Sequence, residues 1–429
     1  MLSPVGTPTL LSQTTWGGAG NESANGIAVA ADGSSYVVGT SDSFLTDQFG
    51  FRPGIFLVKF APDGSLVWQK VWNGTTIFGS FLGPAVALGA DGSVYVTGTT
   101  STSPSTNGED AVLLKFNASS GALIWQRTWG GSAFDRSNAV AAASDGSVYI
   151  TGAADSFGAS GTSMFVVKFN AAGTLLWQRI WDAAEGMAVA VAPDGSVYAA
   201  GSATRPPGIG NFDVLVLKMT ADGGLVWART YSAGDVVDPR GGMTVAPDGS
   251  VYIAGALQAP KMGFVPIAAL IIKLTPAGGL VFDTQFGASN SVNAAGVAVA
   301  PNGTIYIAGP GNFSGLGDAF VLHLLPTGKS ADAVTWGGTG LDAGAGVGVA
   351  ADGTVMLATT ASSPPYSFLS TAKKTAMVKS TLAVPAGTLA DPGAAASVAD
   401  PGAVVIDSNG VTTFGGSTDA ALVRIRPAP

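Results

Sequence analysis

A chain of 429 residues with 11% charged side chains, 61 glycines and 47% apolar residues has the composition of short strands joined by tight turns, not of helices with charged faces. Its net charge of −8 argues against the basic face that nucleic-acid binding favours, and the absence of cysteine excludes disulfides and thiolate metal sites. The longest apolar stretches, such as FVPIAALIIKL (264–274), fall short of the roughly 18–20 residues of a bilayer-spanning helix, so no membrane span is expected.

The first segment, MLSPVGTPTLLSQTTWGG, lacks the basic start and apolar core of a signal peptide. Within it, TLLSQTTWGG (9–18) reads as an outer strand with no partner strands before it. A hairpin follows and keeps returning: DGSVYVTG (91–98), DGSVYITG (145–152), DGSVYAAG (194–201) and DGSVYIAG (248–255). Its turn pair stands at Asp32, Asp91, Asp145, Asp194, Asp248, Asn302, Asp352 and Asn409, each followed by Gly. Asp-Gly and Asn-Gly suit a two-residue type I′ hairpin, which needs positive φ at both central residues. A small-residue strand such as GIAVAA (26–31) precedes each turn, and an alternating strand follows it.

A second hairpin comes next in each copy. Its first strand carries a basic residue near its end: Lys59, Lys115, Lys168, Lys218, Lys273, His323, Lys379 and Arg424. Its second strand is aromatic in most copies, as in SLVWQKVW, ALIWQRTW and TLLWQRIW. Four strands (a to d from the axis outward) repeated every ~50 residues are the signature of a propeller blade. The chain ends on AALVRIRPAP (420–429), a c strand with no d strand after it. These counts predict an all-β, eight-bladed propeller over 1–429, a single domain of four-stranded antiparallel blades. Its ring closes where the strand at about 9–16 completes the C-terminal blade at about 402–426, which leaves no blade with a missing outer strand.

WGGSAFDRSNAVAAASDGSVYITG (129–152) and DAFVLHLLPTGK (318–329) resemble the bacterial and archaeal SBBP-type β-propeller repeats. The resemblance covers essentially the whole chain. It implies a propeller and a cell-surface or secreted setting, and it names no activity.

Three columns of side chains repeat from blade to blade. Trp68, Trp125, Trp177 and Trp227 share one d-strand position with Phe282. Trp16, Trp72, Trp129, Trp181, Tyr231, Phe286 and Trp336 share the position four residues on. Positions i and i+4 of a strand face the same side, so these rings read as packing between blades, with stacking on sugars as the alternative if they are exposed. The basic column reads as snorkelling side chains or, alternatively, as an anion-binding ring, with His323 standing in for a lysine. Asp110, Asp213, Asp318 and Asp419 open strand c in four blades and read as turn carboxylates; calcium is the one cofactor they suggest, although no dense oxygen-rich loop accompanies them.

Strand a supplies mainly Ala, Val, Gly, Ile, Met and Thr to the axis, as in GPAVAL, GMTVAP and GVGVAA, so the channel is expected to be apolar. A single histidine supports neither a Ser-His-Asp arrangement nor a zinc site of several imidazoles. Paired carboxylates remain open. The variable d–a and b–c loops share one face, and rigid scaffolds carry binding residues on such loops. The candidates there are Phe44, Phe49, Phe51, Arg52, Arg205, Arg240, Lys261, Phe264, Tyr366, Phe368, Lys373 and Lys374. The sequence reading is therefore a non-catalytic binding or structural module, with a protein partner on the loop face at the cell surface or in an extracellular assembly. A polysaccharide-binding propeller is the alternative, followed by a lyase or hydrolase.

Overall fold

The computed structural model describes residues 8–427 apart from 45–52, 75–82, 101–107, 158–160, 205–211, 233–235, 260–264, 288–290 and 313–316; between 363 and 417 it describes six short strands. The strands form seven antiparallel sheets, so the propeller has seven blades and the expected eight is corrected. Blade 1 runs Glu22–Val29, Ser35–Ser41, Gly54–Phe60 and Leu66–Trp72. Blades 2 to 6 follow within 85–130, 135–182, 184–232, 236–286 and 296–337. Blade 7 takes its a and b strands from Ala343–Val349 and Val355–Ala361, its c strand from Asp419–Arg426 and its d strand from Thr9–Trp16.

The extra blade disappears because strand b of blade 7 pairs directly with Asp419–Arg426, with Ala361 opposite Asp419. The intervening chain goes elsewhere. Ser367–Thr371 adds a fifth strand to blade 6, Ala376–Met377 an outermost strand to blade 5 and Thr381–Ala383 one to blade 4. Leu389–Ala390, Ser397–Ala399 and Val405–Ile406 do the same for blades 3, 2 and 1. This belt passes the blades in reverse order, each strand antiparallel to strand d. An outer strand presents unpaired backbone groups, and an added strand covers them. The belt sequence contains no tryptophan and lacks the Val-Tyr of the blade hairpins, which suits an edge cover better than a wedge between blades. Lys379, counted in strand c of a seventh repeat, and Asn409, counted in the turn of an eighth, lie outside the described residues.

The turns also differ from expectation. Ala30 accepts from Gly33 N–H at 2.9 Å and donates its own N–H to Ser34 at 2.8 Å, while only the glycine has positive φ, +85° at Gly33. This is a three-residue loop, a type I turn closed by a left-handed glycine, and it repeats at Gly146, Gly195, Gly249, Gly303 and Gly353. Asp32 Oδ1 caps it by accepting Ser34 N–H at 2.8 Å.

The core lies between blades. One cluster joins Trp16, Phe56, Val58, Met356 and Leu422, from blades 7 and 1, so the closing seam is packed like the others. Trp16, Trp72 and Trp129 are each 1% exposed. The indole N–H of Trp72 donates to Gln126 and that of Trp129 to Gln178, both at 2.8 Å and both across a blade boundary. The tryptophans of the other column are half-buried and Phe282 is buried, and they lie against turn glycines of the next blade; Trp125 covers Gly173 and Trp177 covers Gly223. Blade packing therefore accounts for the rings, and full burial of the inner column removes them as sugar-stacking platforms.

The basic column joins the same boundaries. Lys59, Lys115, Lys168, Lys218 and Lys273 each lie over the strand-b tyrosine of their own blade, with Nζ 5.0–5.3 Å from the ring centroid. Lys115 Nζ donates to Ala171 C=O at 3.0 Å and Trp125 Nε1 to the same oxygen at 3.1 Å; Lys168 and Trp177 share Ala221 in the same way. Cation–π contact and a charge-assisted hydrogen bond thus tie neighbouring blades together. His323 takes the lysine place, stacked on Tyr306 with centroids 5.2 Å apart and Nδ1 3.4 Å from Asp332.

Candidate functional site at the channel mouth

The final glycine of the repeated motif shapes the channel. A Cβ on Gly152 would stand 1.8 Å from Arg136 C=O, on Gly39 2.0 Å from Ser23 C=O, and on Gly201 2.2 Å from Glu185 C=O. Only glycine lets strand a approach so closely. Strand a bulges just beyond this contact at Asn25, Asn138 and Met187 in blades 1, 3 and 4, and in blade 7 at Ala345, where Thr359 takes the place of the glycine. A bulge re-aims the extra residue out of the ladder. These four residues line one open cavity of about 320 Å³ together with Pro84 and Arg240 from blades 2 and 5 and Asn293 from blade 6. All seven blades therefore contribute to it.

The cavity is more polar than strand a predicts. Three carboxamides, one guanidinium and the hydroxyls of Ser23 and Thr360 face it, among alanines, glycines and prolines. Sequence reasoning missed the asparagines because strand a was read from the apolar run alone, as in GIAVAA (26–31); the signal lay in the Asn that follows Ala24 and Ser137 just before that run. Asn138 Nδ2 donates to Gly186 C=O at 2.8 Å, which fixes its amide.

Charged groups gather on one side of the mouth. Arg136 Nε lies 2.7 Å from Glu109, and Arg240 Nε lies 2.8 Å from Asp238. Gln258 Nε2 also donates to Asp238, at 2.8 Å. Glu185 stands within the field of both arginines. Burial pushes its carboxyl up, and Arg240 pulls it partly back. Burial raises Asp238 as well, again opposed by Arg240.

Of the twelve loop-face candidates, two have described side chains. Arg240 lines the cavity. Phe44 packs half-buried on Trp16, ring centroids 5.6 Å apart, so it belongs to the seam. Phe368 is placed only as backbone, opposite Trp336 in the belt. Phe49, Phe51, Arg52, Arg205, Lys261, Phe264, Tyr366, Lys373 and Lys374 lie outside the described residues. Among the described residues no group of three or more His, Cys, Asp or Glu is arranged to hold a metal ion, and no helix is long and apolar enough to cross a membrane.

No family profile matches the chain, and no curated protein does. Solved structures do. The Dos1 propeller is 11% identical over 80% of this chain and 92% of its own, with a TM-score of 0.44. A puromycin hydrolase is 16% identical over 82% of this chain and 52% of its own, TM-score 0.46. A protein of unknown function from Dyadobacter fermentans is 10% identical over 99% and 100%, TM-score 0.44. At these identities the likeness concerns the fold alone.

Proposed function

We propose that this propeller is a non-catalytic binding module that receives a protein partner on its d–a and b–c loop face, with a segment of that partner seated in the channel mouth. The observation that carries this reading is the convergence of all seven blades on one open cavity edged by Asn25, Asn138, Asn293 and Arg240. Carboxamides match the paired donors and acceptors of a peptide backbone. Arg240 and Arg136 are already matched by carboxylates, which disfavours a free anion as the ligand. The resemblance to SBBP repeats supports a cell-surface or extracellular setting.

A lyase or hydrolase has one observation in its favour: Glu185, with its raised proton affinity, lies within the field of Arg240, which lines the mouth. The sugar-stacking alternative loses its basis with the burial of Trp16, Trp72 and Trp129.

The test is capture from envelope extract and culture supernatant by the intact protein and by an Asn25→Ala/Asn293→Ala/Arg240→Ala variant of unchanged melting temperature. A protein captured by the first and lost by the second supports the reading. Equal capture by both moves the contact away from the mouth. Turnover of an extract component that Glu185→Gln abolishes favours the enzyme.

A further inference from the structure

Three blade corners carry the same pair of acids. The segments TWGGAGNE (15–22), TWGGSAFD (128–135) and TWGGTGLD (335–342) each end strand d and open the next blade. The first glycine of each is hemmed in by two carboxyl groups. A Cβ on Gly17 would stand 2.1 Å from Asp419 Oδ1 and 2.4 Å from Glu22 Oε2. On Gly130 it would meet Asp110 Oδ1 at 2.1 Å and Asp135 Oδ2 at 3.0 Å, and on Gly337 Asp318 Oδ1 at 2.7 Å and Asp342 Oδ2 at 3.1 Å.

The pair at the seam between blades 7 and 1 is almost wholly enclosed: Glu22 is 0% exposed and Asp419 1%. Its two members are solvated differently. Glu22 Oε1 accepts from the hydroxyls of Ser41 at 2.7 Å and Ser43 at 2.5 Å, and its Oε2 accepts Gly18 N–H at 3.0 Å. Asp419 Oδ1 is buried and receives no donor among the described residues. Among the described residues the charge that acts on Asp419 is Glu22, and Asp42 is another acid raised by burial and by Glu22. Among the described residues no cation is among the charges acting on either aspartate. Two ionised carboxylates in such a place, one without a donor, repel at close range and forfeit hydration.

We infer that Asp419 is held protonated and donates to Glu22, so that closure of the ring is a proton-dependent latch. The donors on Glu22 keep it the acceptor, and the proton on Asp419 supplies the hydrogen bond that its oxygen otherwise lacks. Loss of that proton sets two charges against each other between strand c of blade 7 and strand a of blade 1. Thr418 C=O, one residue before Asp419, accepts Glu22 N–H at 3.0 Å, so the end of the belt is strained at the same moment. Burial first, and Glu22 second, push the Asp419 carboxyl from 3.8 up to about 7. A group whose affinity for protons is raised by folding favours the folded state at low pH, weakens it between its unfolded and folded values, and leaves a constant penalty above.

The experiment is thermal unfolding of the full chain from pH 5 to 8.5 in chelator, for the wild type, Asp419→Asn and Glu22→Gln. Hydrogen exchange of 9–16 and 419–426 is followed in parallel. The wild type is expected to lose about 3–6 °C across this range, with exchange rising at the seam. Asp419→Asn, whose amide donates at any pH, and Glu22→Gln, which removes the repelling charge, are each expected to flatten the curve. A wild type that is flat, or a fall shared by both variants, overturns the inference. Calcium that stabilises the wild type at pH 8 and not Asp419→Asn also overturns it, by showing that the pair takes a metal ion and not a proton.

Discussion

Trp129 and Gln178 belong to different blades, and the buried indole N–H of the first donates to the amide oxygen of the second at 2.8 Å. The same link joins Trp72 to Gln126 and Trp336 to Gln13, the latter at 2.9 Å. Removing the acceptor by Gln178→Leu orphans a buried donor and should cost about 1–3 kcal/mol. In blade 4 the glutamine place is held by Ala228, opposite Trp181 of blade 3. Ala228→Gln should therefore stabilise the protein by up to about 1 kcal/mol. Denaturant unfolding of both variants checks the pair; an Ala228→Gln protein weaker than wild type would contradict the assignment.

Much of this arrangement is legible in the sequence. Spacing alone identifies four strands per repeat, and the repetition of Trp68 and Trp72 in later blades points to packing between them. The blade count was not legible, because the distance from Asp352 to Asn409 matches one repeat while the chain between them pairs along the rim. Nothing local distinguishes a strand in a wedge from a strand on an edge except the missing tryptophans. Asn25 and Asn138 were hidden for a related reason: their direction depends on a bulge that is set by the glycine across the ladder, a long-range partner.

That glycine supplies the second prediction. A Cβ at residue 152 would stand 1.8 Å from the backbone oxygen of Arg136, where no side chain can swing aside. Gly152→Ala should cost about 3 kcal/mol and displace Asn138. Gly195→Ala, with open space around its Cβ but φ of +81°, should cost about 1 kcal/mol. Equal losses in the two variants would count against the bulge as the origin of the motif.

Acid sensitivity follows from the turns. The carboxyls of Asp145, Asp194, Asp248 and Asp352 are all held below 3.8, in each case first by the backbone N–H two residues on. Groups depressed by folding contribute stability above their unfolded value, and it is lost as pH falls through the folded one. The melting temperature should therefore drop below pH 4, and a variant with all four changed to Asn, which caps the same turn without titrating, should drop less. An unchanged acid slope would mean other carboxylates govern it.

The belt gives the fourth prediction. Ser370 pairs with Val334 in the outer ladder of blade 6, and proline there removes a backbone donor. Ser370→Pro should speed hydrogen exchange at 333–337 while leaving blade 3 protected. Uniform loss of protection would show instead that the belt holds the whole ring.

The closure by Thr9–Trp16 and Asp419–Arg426 bears on how the chain is synthesised. A blade assembled from strands more than 400 residues apart in sequence cannot form until Asp419–Arg426 has been made, even though blades 1 to 6 are local hairpins that can form earlier. During translation Thr9–Trp16 emerges before the strands of blades 1 to 6 and waits as an unpaired strand until Asp419–Arg426 arrives. A ribosome that stalls in the belt thus releases an open ring with an exposed edge, and clearance of such fragments, more than the stability of the finished propeller, would limit the yield of the protein.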